Sequence, residues 1–244
     1  MCYNEVMLTK KLDVVYFVSA FPRNDLRYSI RSVAKNLEFN KLWIYGGKKY
    51  DIQPDGYVRI MNQMGANKWD KVRNMYRQAC MNNSITEDFI LFHDDFFIMK
   101  PVKSIEPEIR GTFEEHAQQI ESRFGDKLTP YTSLLRNTSK VLESKGYTAL
   151  SYELHKPFIF NRQKLLTILN MFSREHCIRS IYGNVYGLGG EKTHDVKIFN
   201  DEPAFDYKKE PILSTDNPVT VDGNKHWEYI RNKFNERCKY EHLP

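Results

Sequence analysis

The sequence has no apolar run of the roughly 18 residues that a membrane-spanning helix needs, and its mean hydropathy is −0.60. Its first residues, Met1-Cys2-Tyr3-Asn4-Glu5, carry no basic cluster leading into an apolar stretch, the mark of a secretory leader. These absences predict a chain without a membrane span that works in the cytoplasm. Cysteine is scarce: Cys2, Cys80, Cys177 and Cys238 lie far apart, with no Cys-x-x-Cys pair. That argues against a zinc knuckle or a disulfide framework and for free thiols in a reducing compartment. The glycines never fall into a Gly-x-Gly-x-x-Gly pattern. Gly187-Leu188-Gly189-Gly190 comes nearest and follows no clear strand, so a dinucleotide site is not supported. Those four residues, at the end of the Tyr- and Gly-rich stretch 181–190, are instead expected to form a flexible substrate loop. Nothing resembles a helix-turn-helix or a zinc finger, and there is no internal repeat or low-complexity tract.

What is present suffices for a folded enzyme. Of 244 residues, 41% are apolar, with 15 Tyr and 15 Phe to fill a core. That length suits one α/β domain spanning residues 1–244, with an insertion. The net charge is +5 and the pI about 8.8. This is compatible with a phosphate-bearing ligand, but below the pI of about 9 that signals nucleic acid by itself.

The first hundred residues alternate between buried strand and amphipathic helix. Residues 13–20 form a continuous β-branched and aromatic run, as a strand covered on both faces does. Leu26, Ile30, Val33 and Leu37 then repeat at helical spacing. A second buried strand over 41–45 closes on Gly46-Gly47, and a short third is expected near Tyr57–Ile60. A helix over 67–82 lines up Trp69, Val72, Tyr76 and Ala79, and the next strand is Phe89-Ile90-Leu91-Phe92. This is the start of a Rossmann-type, mostly parallel sheet. Residues 105–145 are charged and mostly helical, broken at Gly111, Gly125 and Pro130, and read as a helical insertion or lid. Leu150–His155 is expected to be a strand, 161–173 a helix, and the tail a helix carrying Trp227, Ile230 and Phe234.

The chemistry concentrates after the strand at Phe92, in Phe89-Ile90-Leu91-Phe92-His93-Asp94-Asp95-Phe96-Phe97-Ile98. Ligands of open α/β sheets bind beyond the carboxyl ends of the strands. Two carboxylates flanked by so much apolar sequence are costly unless something compensates them. A hard cation with oxygen ligands does so, and Mg²⁺ or Mn²⁺ typically links one or two carboxylates to substrate phosphates. Neighbouring strand residues point to opposite faces, so the two acids need a local bend to converge.

The segment Phe89–Val102 resembles the metal-binding segment of GT-A-type glycosyltransferases. It is similar above all to stealth-type sugar-phosphate transferases and to a phage and bacterial group related to the base J glucosyltransferases. Asp13-Val14-Val15-Tyr16, Leu26-Arg27-Tyr28-Ser29-Ile30-Arg31-Ser32-Val33 and Asn67-Lys68-Trp69-Asp70-Lys71-Val72-Arg73 resemble earlier motifs of these families. Ser151-Tyr152-Glu153-Leu154-His155 and Leu213-Ser214-Thr215-Asp216 resemble later motifs of the phage-type group. The likeness covers about residues 13–216, and His93 stands where the pattern commonly has an acid or Asn.

The resemblance implies a GT-A-like three-layer sandwich, an Mn²⁺ or Mg²⁺ cofactor and a nucleotide-sugar donor, a UDP-sugar foremost. Asp95, with Asp94, is the expected metal ligand, and His194 a later one. Ser19 and Phe21 occupy the first β-to-α loop, where base and ribose bind. Arg27, Asn67, Lys68 and Arg73 are polar residues suited to a diphosphate or to sugar hydroxyls. Glu153 and His155 would share one strand face and deprotonate an acceptor hydroxyl; Asp216 is a second late acid. The acceptor that the phage-type relatives point to is a hydroxymethylated pyrimidine in DNA. A cell-wall or capsule polysaccharide is the alternative acceptor, and a stealth-like transfer of a sugar phosphate is a further alternative reaction. A non-catalytic nucleotide-sugar-binding module and a metal-dependent nuclease are the competing classes.

Overall fold

The computed structural model describes residues 11–19, 25–47, 51–60, 68–125, 129–199, 203, 205–216 and 219–241. The first half runs β1 (Asp13–Val18), α1 (Asp25–Asn36), β2 (Leu42–Gly46), β3 (Gly56–Arg59), α2 (Lys68–Met81), β4 (Asp88–His93) and β5 (Phe96–Ile98). The middle holds β6 (Glu108–Ile109), β7 (Gly111–Thr112), α3 (Phe113–Phe124), α4 (Pro130–Ser144), β8 (Leu150–Ser151), β9 (Phe158–Asn161), α5 (Arg162–Met171) and α6 (Ile178–Val185). The last part has β10 (Glu191–Lys192), β11 (Lys197–Ile198), β12 (Ile212–Thr215) and α7 (Lys225–Lys233). No described helix is long and apolar enough to cross a membrane.

The central sheet has the order β3-β2-β1-β4-β9, parallel except for β9 at its edge. β1 is buried at every position, which accounts for its unbroken apolar sequence. Its side chains alternate between two cores. Val15 and Phe17 join Tyr76, Phe89, Phe160 and Leu169 on the face covered by α2 and α5. Val14, Tyr16 and Val18 join Leu26, Ile30 and Val33 of α1 on the other. With helices on both faces, the architecture is a mixed α/β, Rossmann-like one. Asp13, fully buried at the start of β1, accepts from Asn40, Lys41, Trp43 and Thr86. That acid belongs to the amino-terminal end of the strands and is committed to structure.

Winding outward from β1 through β2 and β3, and then back to β4 on the other side, puts the reversal of strand order between β1 and β4. A crevice opens at the carboxyl ends of two such strands. There the chain turns at Asp94-Asp95 and leaves as β5, which belongs to a second sheet of order β11-β12-β5. Phe97, Ile198, Leu213, Trp227 and Ile230 form the core between that sheet and α7.

The helical stretch expected over 105–145 is α3 and α4. A Thr112/Glu115 capping box starts α3; a Thr129/Thr132 box followed by Pro130 starts α4. Phe113, Leu134, Leu135 and Leu142 share the core of the main sheet. One expectation is corrected: the strand near Leu150 ends at Ser151, and the next is β9. Residues 178–185 form helix α6, and residues 187–190 after it belong to no helix or strand. Gly183 is tolerated inside α6 because the Tyr152 ring packs on it; a Cβ there would lie 2.5 Å from a ring carbon. Cys80, Cys177 and Cys238 are free thiols, and Cys2 lies outside the described residues.

The last described residues are clasped to α1. Arg31 donates to both carboxylate oxygens of Glu241, each at 2.7 Å, and to the carbonyls of Phe234 and Asn235 at 2.9 and 3.1 Å. Their side chains are only 8% and 5% exposed. Arg31→Ala removes two charge-assisted bonds and leaves Glu241 with Arg27 at 3.5 Å and the Cys238 N–H. The expected loss is about 1.5–3 kcal/mol, measured as a lower urea midpoint with an unchanged slope.

Candidate active site

At the switch point of the sheet lies a cleft of about 1260 Å³. Its floor is Phe17, Val18 and Ser19 from the end of β1 and His93, Asp94 and Asp95 from the end of β4. Helices α3 and α4 form one wall through His116, Gln119, Arg123 and Tyr131. The segment after β10 supplies His194, Asp195 and Lys197, and Asp216 follows β12.

The turn that ends β4 supplies the bend that two adjacent acids need. Asp95 is 8% exposed and Asp94 7%. The Oδ2 atom of Asp95 accepts from Lys197 Nζ at 3.1 Å and from Ser214 Oγ at 3.2 Å. Its carbonyl accepts from Thr215 N at 3.2 Å. Lys197 Nζ lies also 3.9 Å from Asp216 Oδ1, so it bridges two carboxylates. Burial favours the neutral acid, but Lys197, then His93 and His155, outweigh it and hold Asp95 below the usual carboxylate range. His93 is pushed down to about 3, by burial first and then by Arg179, against the pull of Asp95. Its imidazole is therefore neutral at any ordinary pH.

Opposite the turn stands a second polar unit. His155 Nδ1 lies 2.8 Å from Asp195 Oδ2, and the His155 backbone N–H donates to Asp195 Oδ1 at 3.0 Å. Arg110 Nη1 pairs with the same Oδ2 at 3.0 Å. Burial raises the Asp195 carboxyl, but His155 and Arg110 overcome that and keep it well below the usual range. An ionised carboxylate only accepts, so Nδ1 of His155 carries a hydrogen toward Asp195, which leaves Nε2 as the ring nitrogen that can accept from a ligand. With 37% of its side chain exposed, His155 is accessible from the cleft it lines.

The cleft thus brings together Ser19, Arg73, Asp94, Asp95, Glu153, His155, His194 and Asp216. Several do different work from that expected. Glu153 does not alternate with His155 on a strand. Its Oε1 accepts from Ser180 N at 3.2 Å and Ser180 Oγ at 2.9 Å, capping α6, whose own N-cap Cys177 makes no side-chain bond. Arg73 is committed to the C-terminal end of α5, donating to the carbonyls of Leu169 and Phe172 and, at 3.2 Å, to that of Ser173. Arg27 does not line the cleft; it pairs with Asp51 at 3.1 Å and Glu241 at 3.5 Å. His194 Nε2 lies 3.2 Å from Glu210 rather than beside Asp95. Phe21, Asn67 and the Lys68 side chain lie outside the described residues.

Lys197, Asp195, Arg179 and His116 are the additions. The first two were legible as an alternation in Asp195-Val196-Lys197-Ile198. Val196 and Ile198 are buried in the core at 1% and 0% exposure, so the two charged residues share the other face. Ile178, Ile181, Tyr182 and Val185 repeat at helical spacing, which Gly183 and Gly187 disguised.

Among the described residues no three His, Cys, Asp or Glu side chains are gathered into a metal cage. The donor chemistry nevertheless fits a hard divalent ion shared with a ligand. Asp94, Asp95 and Asp216 bring three carboxylates to one end of the cleft against the single ammonium of Lys197. Asp95 Oδ1 makes no hydrogen bond among the described residues. Mg²⁺ is commonly held by one or two carboxylates plus phosphate oxygens, without a full protein cage. No protein-family model matches this chain, and no curated protein matches its sequence.

Asp195 has a folded pKa below its unfolded one. Its stabilisation is therefore complete above the unfolded value, about 3.9, and is lost as pH falls below it. Asp195→Asn is expected to cost about 1.5–3 kcal/mol at pH 7, the range for hydrogen bonds to charged groups. The gap to wild type should narrow steadily below about pH 4, as read from urea midpoints over a pH series.

Proposed function

We propose that the protein is a GT-A-like glycosyltransferase. It moves a sugar from a nucleotide-sugar donor, a UDP-sugar foremost, to a hydroxyl acceptor. One observation carries this reading: across a single cleft at the sheet's switch point, the Asp94-Asp95 turn lies opposite a His155–Asp195 pair. One side suits a phosphate-bearing donor with its counter-ion, and the other suits removal of a proton.

In the proposed reaction the acceptor oxygen bonds to the anomeric carbon of the sugar. The bond from that carbon to the diphosphate oxygen breaks, and its electron pair leaves with the diphosphate. The acceptor proton passes to Nε2 of His155. Asp195 holds the ring in the right tautomer and stabilises the imidazolium that forms. Asp95 with Asp94 would hold Mg²⁺ or Mn²⁺, which would supply positive charge against the departing diphosphate. The neutral His93 adds no charge to that set. The walls of α3 and α4 exclude water from the transfer.

A hydroxymethylated pyrimidine in DNA is the first acceptor to test. Seven Lys and Arg residues line the cleft against five Asp and Glu, an excess that favours a polyanionic partner.

The test is release of nucleoside diphosphate from a panel of nucleotide sugars with Mn²⁺ or Mg²⁺. It is run with hydroxymethylated DNA, with polysaccharide fragments and without acceptor. His155→Ala is expected to lower kcat by about 10²–10⁴, the usual worth of a positioned base, with little change in donor KM. Asp95→Ala is expected to abolish the metal-stimulated rate. Failure to bind or turn over any nucleotide sugar would overturn the transferase reading, and a normal rate in His155→Ala would remove the base.

A further inference from the structure

Arg179 is the second residue of α6 and lines the cleft, yet only 7% of it is exposed. Its Nη1 donates to the carbonyls of Leu154 at 2.8 Å and Lys156 at 2.7 Å. The guanidinium carbon lies 5.7 Å from the ring centres of both Phe96 and Phe158. It therefore sits between the residue that follows Asp95 and the one that precedes His155.

Three of the other six cations of the cleft have a carboxylate, and Arg73 is held by carbonyls at a helix end. Arg110 has Asp195, Arg174 has Asp70, and Lys197 has Asp95. Arg179 forms no ion pair among the described residues. The acid nearest in the chain's layout, Glu153, is engaged by Ser180. Two carbonyls and two aromatic faces satisfy hydrogens and attract the charge, but none of them neutralises it. A buried, uncompensated cation is expensive, and its retention on a cavity wall calls for an anion that arrives from solution. With both Nη1 hydrogens given to carbonyls and a further bond made to the Tyr76 hydroxyl, two of the three donors on the Nε and Nη2 edge remain. That edge is the fork that binds two oxygens of a phosphate side by side.

We infer that Arg179 is an anion-binding residue that grips a phosphate group of the cleft's ligand through this edge. Resting on the transferase reading, that phosphate belongs to the donor diphosphate. It is drawn between Arg179 on one side and the cation held at Asp95 on the other. A phosphate of a nucleic-acid backbone offers the same oxygens, so the two sources are separated by experiment.

The experiment is calorimetric titration of the full chain with inorganic pyrophosphate, with UDP and with a short DNA duplex, for wild type, Arg179→Gln and Arg179→Lys. Arg179→Gln is expected to weaken pyrophosphate and UDP binding about 30-fold, as befits loss of a charge-assisted bidentate contact. Arg179→Lys, a point charge without the fork, should fall between the two. Arg179→Gln gives up bonds to the buried carbonyls of Leu154 and Lys156, so affinities are compared well below the thermal midpoint of each variant. If Arg179→Gln does not fold, Arg179→Lys decides: about a tenfold loss of pyrophosphate affinity supports the inference, and none overturns it. A loss confined to the duplex assigns the phosphate to nucleic acid. Equal pyrophosphate, UDP and duplex affinity in wild type and Arg179→Gln overturns the anion site while leaving nucleotide-sugar turnover untouched. Absence of turnover with Arg179-dependent pyrophosphate binding overturns the transferase reading and leaves the anion site standing.

Discussion

One stretch of chain, Phe89 to Ile98, belongs to two sheets, and the rest of the molecule is arranged around its passage from one to the other. As β4 it lies between β1 and β9 in the main sheet; as β5 it pairs with β12 in the second. The turn between them is too short to be covered by anything but its own neighbours. The Asp95 backbone is therefore bonded to Thr215, and its side chain to Ser214 and Lys197. The second sheet thus sets the direction of the acid that the first sheet delivers. Neither sheet makes the site alone.

That arrangement also crowds charge around the turn. Lys197 bridges Asp95 and Asp216, and the Arg179 guanidinium packs against Phe96, the residue after Asp95. The histidines divide labour. His93 is kept neutral by burial and by Arg179, whereas His155 is turned toward the cleft by an acid that stays ionised.

Much of the fold was legible because β1, β2 and β4 are covered on both faces. Such strands announce themselves as unbroken apolar runs, and the helices between them as a 3.6-residue repeat. The carboxylate turn was legible for the same reason: two acids interrupt a sequence otherwise too apolar for a loop. Legibility failed where a polar side chain had two plausible employers. Arg73 and Glu153 line the cleft, but each is held by a helix end, and no local pattern separates a helix terminus from a ligand as the partner. It failed again at α6, where Gly183 interrupts the helical repeat and only the distant Tyr152 ring explains its smallness. Arg27 shares a helix face with Arg31, but their partners lie far along the chain, Asp51 and Glu241 for Arg27 and Glu241 for Arg31.

That last contact has a consequence for the order of assembly. Arg31 and Glu241 are separated by 210 positions. During synthesis α1 emerges early, with a guanidinium already placed on its inner face and its carboxylate not yet made. The helix can dock on β1 through Leu26, Ile30 and Val33, yet its charged edge stays hydrated until nearly the whole described chain has been translated. Pairings across so long a loop are slow to find. The clasp is therefore a late event, and it closes over a sheet and cleft that have already formed.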